Sequence, residues 1–233
     1  MLERILDYER EWFFLLNGSD SAFLDHVMWL YSGKIVWLPL AFFLLIVLVY
    51  KKNWRESLLI LLAIALVVTL CDQFASHLIK PSFLRFRPTH HPAFMHEVQT
   101  VFGYRGGLYG FISSHAANAF GFAMFMTLLF RYRPLFTTVI FLWAMITAYT
   151  RIYLGVHFIT DIIPGAIAGI VFGYLVYHLY IYVRKKLLGR GGKDLPAPAS
   201  LYSITRQRLI VWGIFLTVVM LMIFHTQLVA LLR

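Results

Sequence analysis

Six stretches of this chain, residues 27–50, 58–79, 111–130, 135–150, 158–183 and 209–232, are almost free of charged side chains. They approach or exceed the roughly 18 to 20 residues a helix needs to cross the hydrocarbon layer. Inside that layer no water satisfies the peptide groups, so an unclosed chain crosses only as helices. Charged residues make up 14% of the whole, against roughly a quarter in soluble domains. A water-soluble fold is excluded, and an all-α, polytopic transmembrane helix bundle is predicted.

The polar segments between the runs set its orientation. Lys51, Lys52 and Arg55 against Glu56 leave residues 51–56 at +2, residues 131–133 also carry +2, and residues 184–208 carry +6, whereas residues 1–26 carry −4. Positive loops stay on the cytoplasmic side, which turns the N-terminus, the 80–110 loop, the 151–157 loop and the C-terminus outward. The net charge of +10 is therefore a topology signal, and nucleic-acid binding is not expected. Glu3, Asp7, Glu9 and Glu11 crowd the first residues, so no cleaved secretory signal is expected. The single cysteine, Cys71, lies in an apolar run, where it can form no disulfide within the chain and is expected to pack.

Residues 2–16 are amphipathic and stop at Asn17-Gly18, which predicts an interfacial helix. Asn17-Gly18-Ser19 also fits a glycosylation acceptor, a match expected by chance. Pro81 is expected to end the helix of the second run, because the residue before a proline avoids the helical region. Residues 80–110 are too long for a simple turn, and loops of this length are usually functional. Gly165, Gly169 and Gly173 recur every fourth residue, a spacing that admits a closely packed neighbouring helix.

Three polar clusters fall at one predicted membrane edge, where ionisable groups are costly and signal function. His157 and Asp161 are four apart, so on a helix beginning near His157 they share a face and can hydrogen-bond. A carboxylate on one imidazole nitrogen fixes the tautomer that frees the other to attack. His115 supplies a second imidazole suited to protonating a departing alkoxide. Lys80, Arg87 and Arg151 match the negative charge of a phosphoryl group. Ser113, Ser114 and the N–H groups that open the third run add neutral donors at a helix start that favours an anion. Phosphoryl transfer asks for little beyond such charge placement and alignment.

The pattern resembles the type 2 phosphatidic acid phosphatase superfamily, whose signature has three parts. Lys80 with Arg87-Pro88 matches the first, and Ile112-Ser113-Ser114-His115 stands where the family has Pro-Ser-Gly-His. Thr150-Arg151, His157 and Asp161 match the third, with Thr150 in place of serine. The resemblance implies a five-helix phosphatase core over residues 27–183. It is preceded by an interfacial segment over 1–26 and followed by a basic cytoplasmic linker over 184–208 and an additional transmembrane helix over 209–233. It further implies hydrolysis without metal or other cofactor, through a phosphohistidine on His157, with Asp161 orienting it and His115 protonating the leaving group. Lys80, Arg87, Ser113, Ser114 and Arg151 hold the phosphate. The implied setting is the bacterial cytoplasmic membrane with the site facing outward. The implied substrate is a lipid phosphate entering sideways: undecaprenyl diphosphate, a lipid A phosphate or phosphatidylglycerol phosphate. No obligatory protein partner is implied. Ser114 puts a Cβ where backbone normally approaches phosphate, which keeps open a weakly active relative that binds phosphate lipids.

Other residues read less distinctively. His90, His91 and His96 show no regular ligand spacing and are expected to meet headgroups or solvent rather than a metal. Asp72 lies on the face of Lys80 but two turns away, so it is expected to support the site through a hydrogen-bond network. His178 and His225 read as packing residues. Arg105-Gly106-Gly107 lacks the strand and helix of a nucleotide phosphate loop. A transporter would spread ionisable groups through several helix centres or repeat broken helices in two halves, and this sequence does neither.

Overall fold

A computed structural model describes residues 2–189 and 202–233. The helices are α1 (Leu2–Leu16), α2 (Ala22–Ser32), α3 (Leu38–Val49), α4 (Trp54–Gln73), α5 (Lys80–Phe83), α6 (Ser114–Leu129), α7 (Pro134–Tyr153), α8 (Ile159–Leu188), α9 (Ile204–Ile223) and α10 (His225–Leu232). One isolated bridge, Phe86 to Tyr109, is the sole strand-like pairing among the described residues. Four spans are long and apolar enough to cross a membrane, and α2 with α3 makes a fifth if that bent pair counts as one. Most of the linker between α8 and α9 lies outside the described residues.

Two expectations about helix continuity are corrected. The first apolar run is not one straight crossing: α2 ends at Ser32 and the axis turns by 71° before α3. The caps explain the position, since Ser21 opens α2 by accepting the Leu24 N–H and Gly33 closes it on Leu30 and Trp29. Pro81 does not end the second crossing. The chain widens into a π-helical segment over Phe74–Ile79, in which the Lys80 N–H reaches back to Ala75, and Pro81 then occupies the first turn of α5. At a first-turn position the missing proline N–H costs nothing. The turn stops three residues later, at Leu84 in the left-handed region.

α6 lies at the centre, wrapped by α4, α7 and α8. Its 16 residues span about 24 Å. The closest packing is with α8, where Gly169 faces the Ala117 carbonyl and an added Cβ would also lie 2.9 Å from the Gly121 nitrogen. α1 has the bounds its amphipathicity predicts, and it docks rather than floats. Phe13 is fully buried against Phe158, and Arg10 pairs with Glu97 at 3.1 Å. Asn17 is buried and structural, donating to Tyr153 O (2.9 Å) and Gln99 O (3.0 Å).

The helix ends sort by side. Glu56, Arg184 and Tyr180 form a buried cluster at one end, with Arg184 Nε donating to Glu56 at 2.8 Å. The 80–110 loop, the 151–157 loop and α10 share the other. Because α6 and α8 touch through backbone, Gly169→Ala should destabilise the fold by about 1–3 kcal/mol. The check is a lower thermal midpoint of the purified protein in detergent.

Candidate active site

The three polar segments meet at the end opposite Glu56. Residues after α5 fold back as a short hairpin, with the Arg87 N–H on Leu108 O (3.0 Å) and the Gly110 N–H on Arg85 O (2.9 Å). Alternate side chains of an extended stretch share a face, so Arg85 and Arg87 both reach the start of α8. Buried Thr89 pins this loop by donating to Arg105 O at 2.8 Å.

Asp161, fully buried in the first turn of α8, organises the centre. One carboxylate oxygen accepts the Phe158 N–H (3.0 Å) and faces His157 Nδ1 (3.3 Å), while the other accepts Arg85 Nη1 (2.8 Å). Its main-chain carbonyl accepts the Ser113 N–H at 3.0 Å, tying the start of α6 to the start of α8. Burial, then the charges of Arg87 and Arg151, push the His157 imidazole well below its usual value. The ring is therefore neutral near pH 7. Its partners assign the tautomer: Nδ1–H donates to Asp161, and Nε2 accepts from Arg87 Nη1 at 3.3 Å.

Cations outnumber carboxylates here. Arg87 donates to Tyr109 O (3.1 Å), Val156 O (3.3 Å) and His157, and to no carboxylate among the described residues. Arg151 is 2% exposed. It donates to Ser32 and to the Tyr104 hydroxyl (2.9 Å), while its Nε is buried with no partner among the described residues. Lys80 Nζ contacts Ser76 Oγ and Ser114 Oγ, both at 3.4 Å. Ser76 in turn contacts Asp72 at 3.4 Å, so Asp72 supports Lys80 through a relay, as expected. Among the described residues, Arg85 alone of these cations is paired with carboxylates, those of Asp161 and Glu9. Burial and the neighbouring Arg151 both work against the charge on Arg87. Such a site gains from an anion.

The structure thus gathers Lys80, Arg87, Ser113, Ser114, Arg151, His157 and Asp161. His115 and Arg151 line a cavity of about 430 Å³ beside them. The Ser113 hydroxyl accepts the Ala116 N–H (3.3 Å) as the cap of α6. His91 is half-buried and stacks on Phe94 with centroids 4.1 Å apart, whereas His96 is exposed. His178 lies against Tyr174, and His225 against Phe23 and His26. Sequence reading missed Glu9, which accepts from both Arg85 and Thr160, and also Ser32 and Tyr104 behind Arg151. These partners are remote in sequence, and only the acidic crowding of α1 hinted at one of them.

Fold and site together define a helical membrane protein whose histidine–aspartate pair stands among cations without carboxylate partners, an arrangement suited to handling a phosphoryl group. Residues 57–185 match the profile of the PAP2 superfamily, and the chain belongs to that family and is a phosphatase. It is 44% identical to a lipid A 4′-phosphatase of Porphyromonas gingivalis over 87% of this chain and 84% of that protein. It is 37% identical to a lipid A 4′-phosphatase of Bacteroides thetaiotaomicron, over 86% and 87%. Among solved structures, Aquifex aeolicus LpxE is 28% identical and superposes with a TM-score of 0.51 over 72% of this chain and 93% of that one. A PAP2-type phosphatidylglycerolphosphate phosphatase from Bacillus subtilis, 20% identical with a TM-score of 0.54 over 81% and 90%, shares the fold.

Gly110 sits directly over the pair, and a Cβ there would fall 2.9 Å from Asp161 Oδ2 and 3.5 Å from His157 Nδ1. Gly110→Ala should therefore lower kcat by roughly tenfold or more, as small misplacements of reacting groups do. The thermal midpoint should fall by less than in Gly169→Ala, where the clash is with backbone, and kinetics paired with thermal melts in detergent test both.

Proposed function

We propose that this protein removes a phosphate from a lipid A-type glycolipid at the outer face of a bacterial cytoplasmic membrane, through a phosphohistidine on His157. The carrying observation is that Arg87, Arg151 and Lys80 converge, without carboxylate partners among the described residues, around a neutral imidazole held by Asp161. The two lipid A 4′-phosphatases that share most of the chain's length favour lipid A over undecaprenyl diphosphate or phosphatidylglycerol phosphate. The outward orientation rests on the basic segments at the opposite end of the bundle.

In the first step, His157 Nε2 attacks phosphorus in line with the ester oxygen. The N–P bond forms as the P–O bond breaks, and His115, protonated once the bound phosphate offsets the neighbouring cations, gives that proton to the departing sugar alkoxide. Asp161 stabilises the positive charge that develops on the ring. Arg87, Lys80 and the free Nε of Arg151 neutralise the three equatorial oxygens, so the catalysis is mainly preorganised charge. In the second step, water loses a proton to His115 and attacks phosphorus, returning inorganic phosphate and free His157. Ser114, placed where the family has glycine, contacts Lys80. Its hydroxyl serves as a neutral member of the phosphate cradle.

Purified protein in detergent with chelator, offered a panel of lipid A, polyprenyl diphosphate and phosphatidylglycerol phosphate, should release phosphate fastest from lipid A. His157→Ala should abolish release. Asp161→Asn should reduce it by about 10³-fold or more, by analogy with loss of the orienting carboxylate in other histidine-based sites. Undiminished release by His157→Ala, or fastest release from another lipid, would overturn the corresponding half of the proposal.

A further inference from the structure

The break in the first membrane span has a chemical consequence. The turn after Ser32 places Lys34 in the lining of the cavity that holds His115 and Arg151, together with Tyr104, Trp29 and Leu232. α2, α3 and α10 all lie outside residues 57–185 that match the family profile. One wall of this cavity is therefore the shared core, and the other comes from flanking segments. At about 430 Å³ it falls within the ~300–1,000 Å³ range of small-molecule sites.

The Lys34 ammonium forms no hydrogen bond or ion pair with the described residues, although its carbonyl accepts the Trp37 N–H at 3.2 Å. A lysine at a membrane edge usually ends a helix and reaches for headgroups on the outside. Lys34 is exposed as such an anchor would be, but it stands at a helix break and lines the cavity of His115 and Arg151. Burial alone would raise the Tyr104 phenol, yet the charges of Arg151, Arg87 and Lys34 bring it below its usual value. Lys34 thus belongs to the electrostatic field of the site. The three cations already assigned match the three oxygens of the phosphoryl group being transferred, so a fourth has no counterpart on that group.

We propose that Lys34 is a specificity-determining residue that binds a second anionic group of the substrate headgroup, separate from the phosphoryl group that reacts. This rests on the lipid-phosphatase reading of the His157 site. The second anion is a phosphate elsewhere on a glycolipid sugar or the other phosphate of a lipid diphosphate, and Trp29 and Leu232 cover the apolar part of the same headgroup region.

The test compares a one-phosphate glycolipid, a two-phosphate glycolipid and a polyprenyl diphosphate as substrates for wild type, Lys34→Ala and Lys34→Arg. Lys34→Ala should lower the ratio of kcat/KM for a two-anion substrate over the one-phosphate lipid by roughly tenfold, the weight of one charge-assisted hydrogen bond. The loss should fall on KM, and Lys34→Arg should restore the ratio. The two-anion substrate that shows the effect identifies the source of the second charge. In parallel, binding of the two glycolipids to full-length His157→Ala protein in nanodiscs is measured with and without Lys34→Ala. Selective weakening for the two-phosphate lipid is expected. An unchanged ratio of affinities between the two lipids would overturn the role of Lys34, whatever the turnover. Absence of His157-dependent phosphate release from every lipid would instead overturn the phosphatase reading, leaving the binding result to decide Lys34 separately.

Discussion

Everything at the reactive end hangs on one buried carboxylate. Asp161 is fully buried, yet its oxygens and carbonyl hold four groups from three parts of the chain: the Phe158 amide and the His157 ring, Arg85 from the hairpin, and Ser113 at the start of α6. A buried carboxylate is costly unless it is fully hydrogen-bonded. Meeting that need fixes the entry of α8, the entry of α6 and the hairpin in one arrangement. Arg85 is anchored on its other side by Glu9 of α1. A helix outside the family-matched residues therefore helps to set where Asp161, and through it His157, can sit.

The cations obey the opposite rule. Among the described residues, Arg87, Arg151 and Lys80 are held by carbonyls, hydroxyls and an imidazole rather than by carboxylates, and Arg151 Nε by no partner. Such neutral acceptors orient a charge without cancelling it. A site built this way keeps its field for a ligand, and mutual repulsion between Arg87 and Arg151 is relieved when an anion enters. The same field drives His157 toward its neutral form, so one set of charges both attracts the phosphate and keeps the proposed nucleophile unprotonated.

Much of this was legible in the sequence because it depends on short-range spacing. α1 ends where Asn17-Gly18 interrupts its amphipathic face. His157 and Asp161 meet because four residues make one helical turn, and Gly165, Gly169 and Gly173 face α6 because the same period repeats. Hydropathy counts residues but does not register direction, so the 71° turn at Gly33-Lys34 left no trace in the first apolar run. Proline rules apply to a regular α-helix, and the π segment before Pro81 removed the conflict they anticipate. The bonds from Arg85 to Glu9 and from Arg151 to Ser32 join residues 76 and 119 positions apart. No local pattern encodes such pairings.

The two departures from regular helix stand at the edges of the site, and this is physically reasonable. A π turn widens the helix by one residue and redirects the chain beyond it. Here it keeps Ser76 between Asp72 and Lys80, so that Lys80 projects to Ser114 from the end of a span. The break between α2 and α3 brings Ser32 to Arg151 and Lys34 to the cavity, whereas a continuous helix would have carried both along its lipid-crossing axis. Irregular backbone at membrane depth is tolerated where it is buried in protein or lines a polar cavity. The α2–α3 break lines such a cavity through Ser32, Gly33 and Lys34, and each irregularity places a polar side chain against a cationic residue of the site. The bundle therefore gives up regular α-helical hydrogen bonding at the positions where a straight helix could not have delivered a side chain to the cationic cluster.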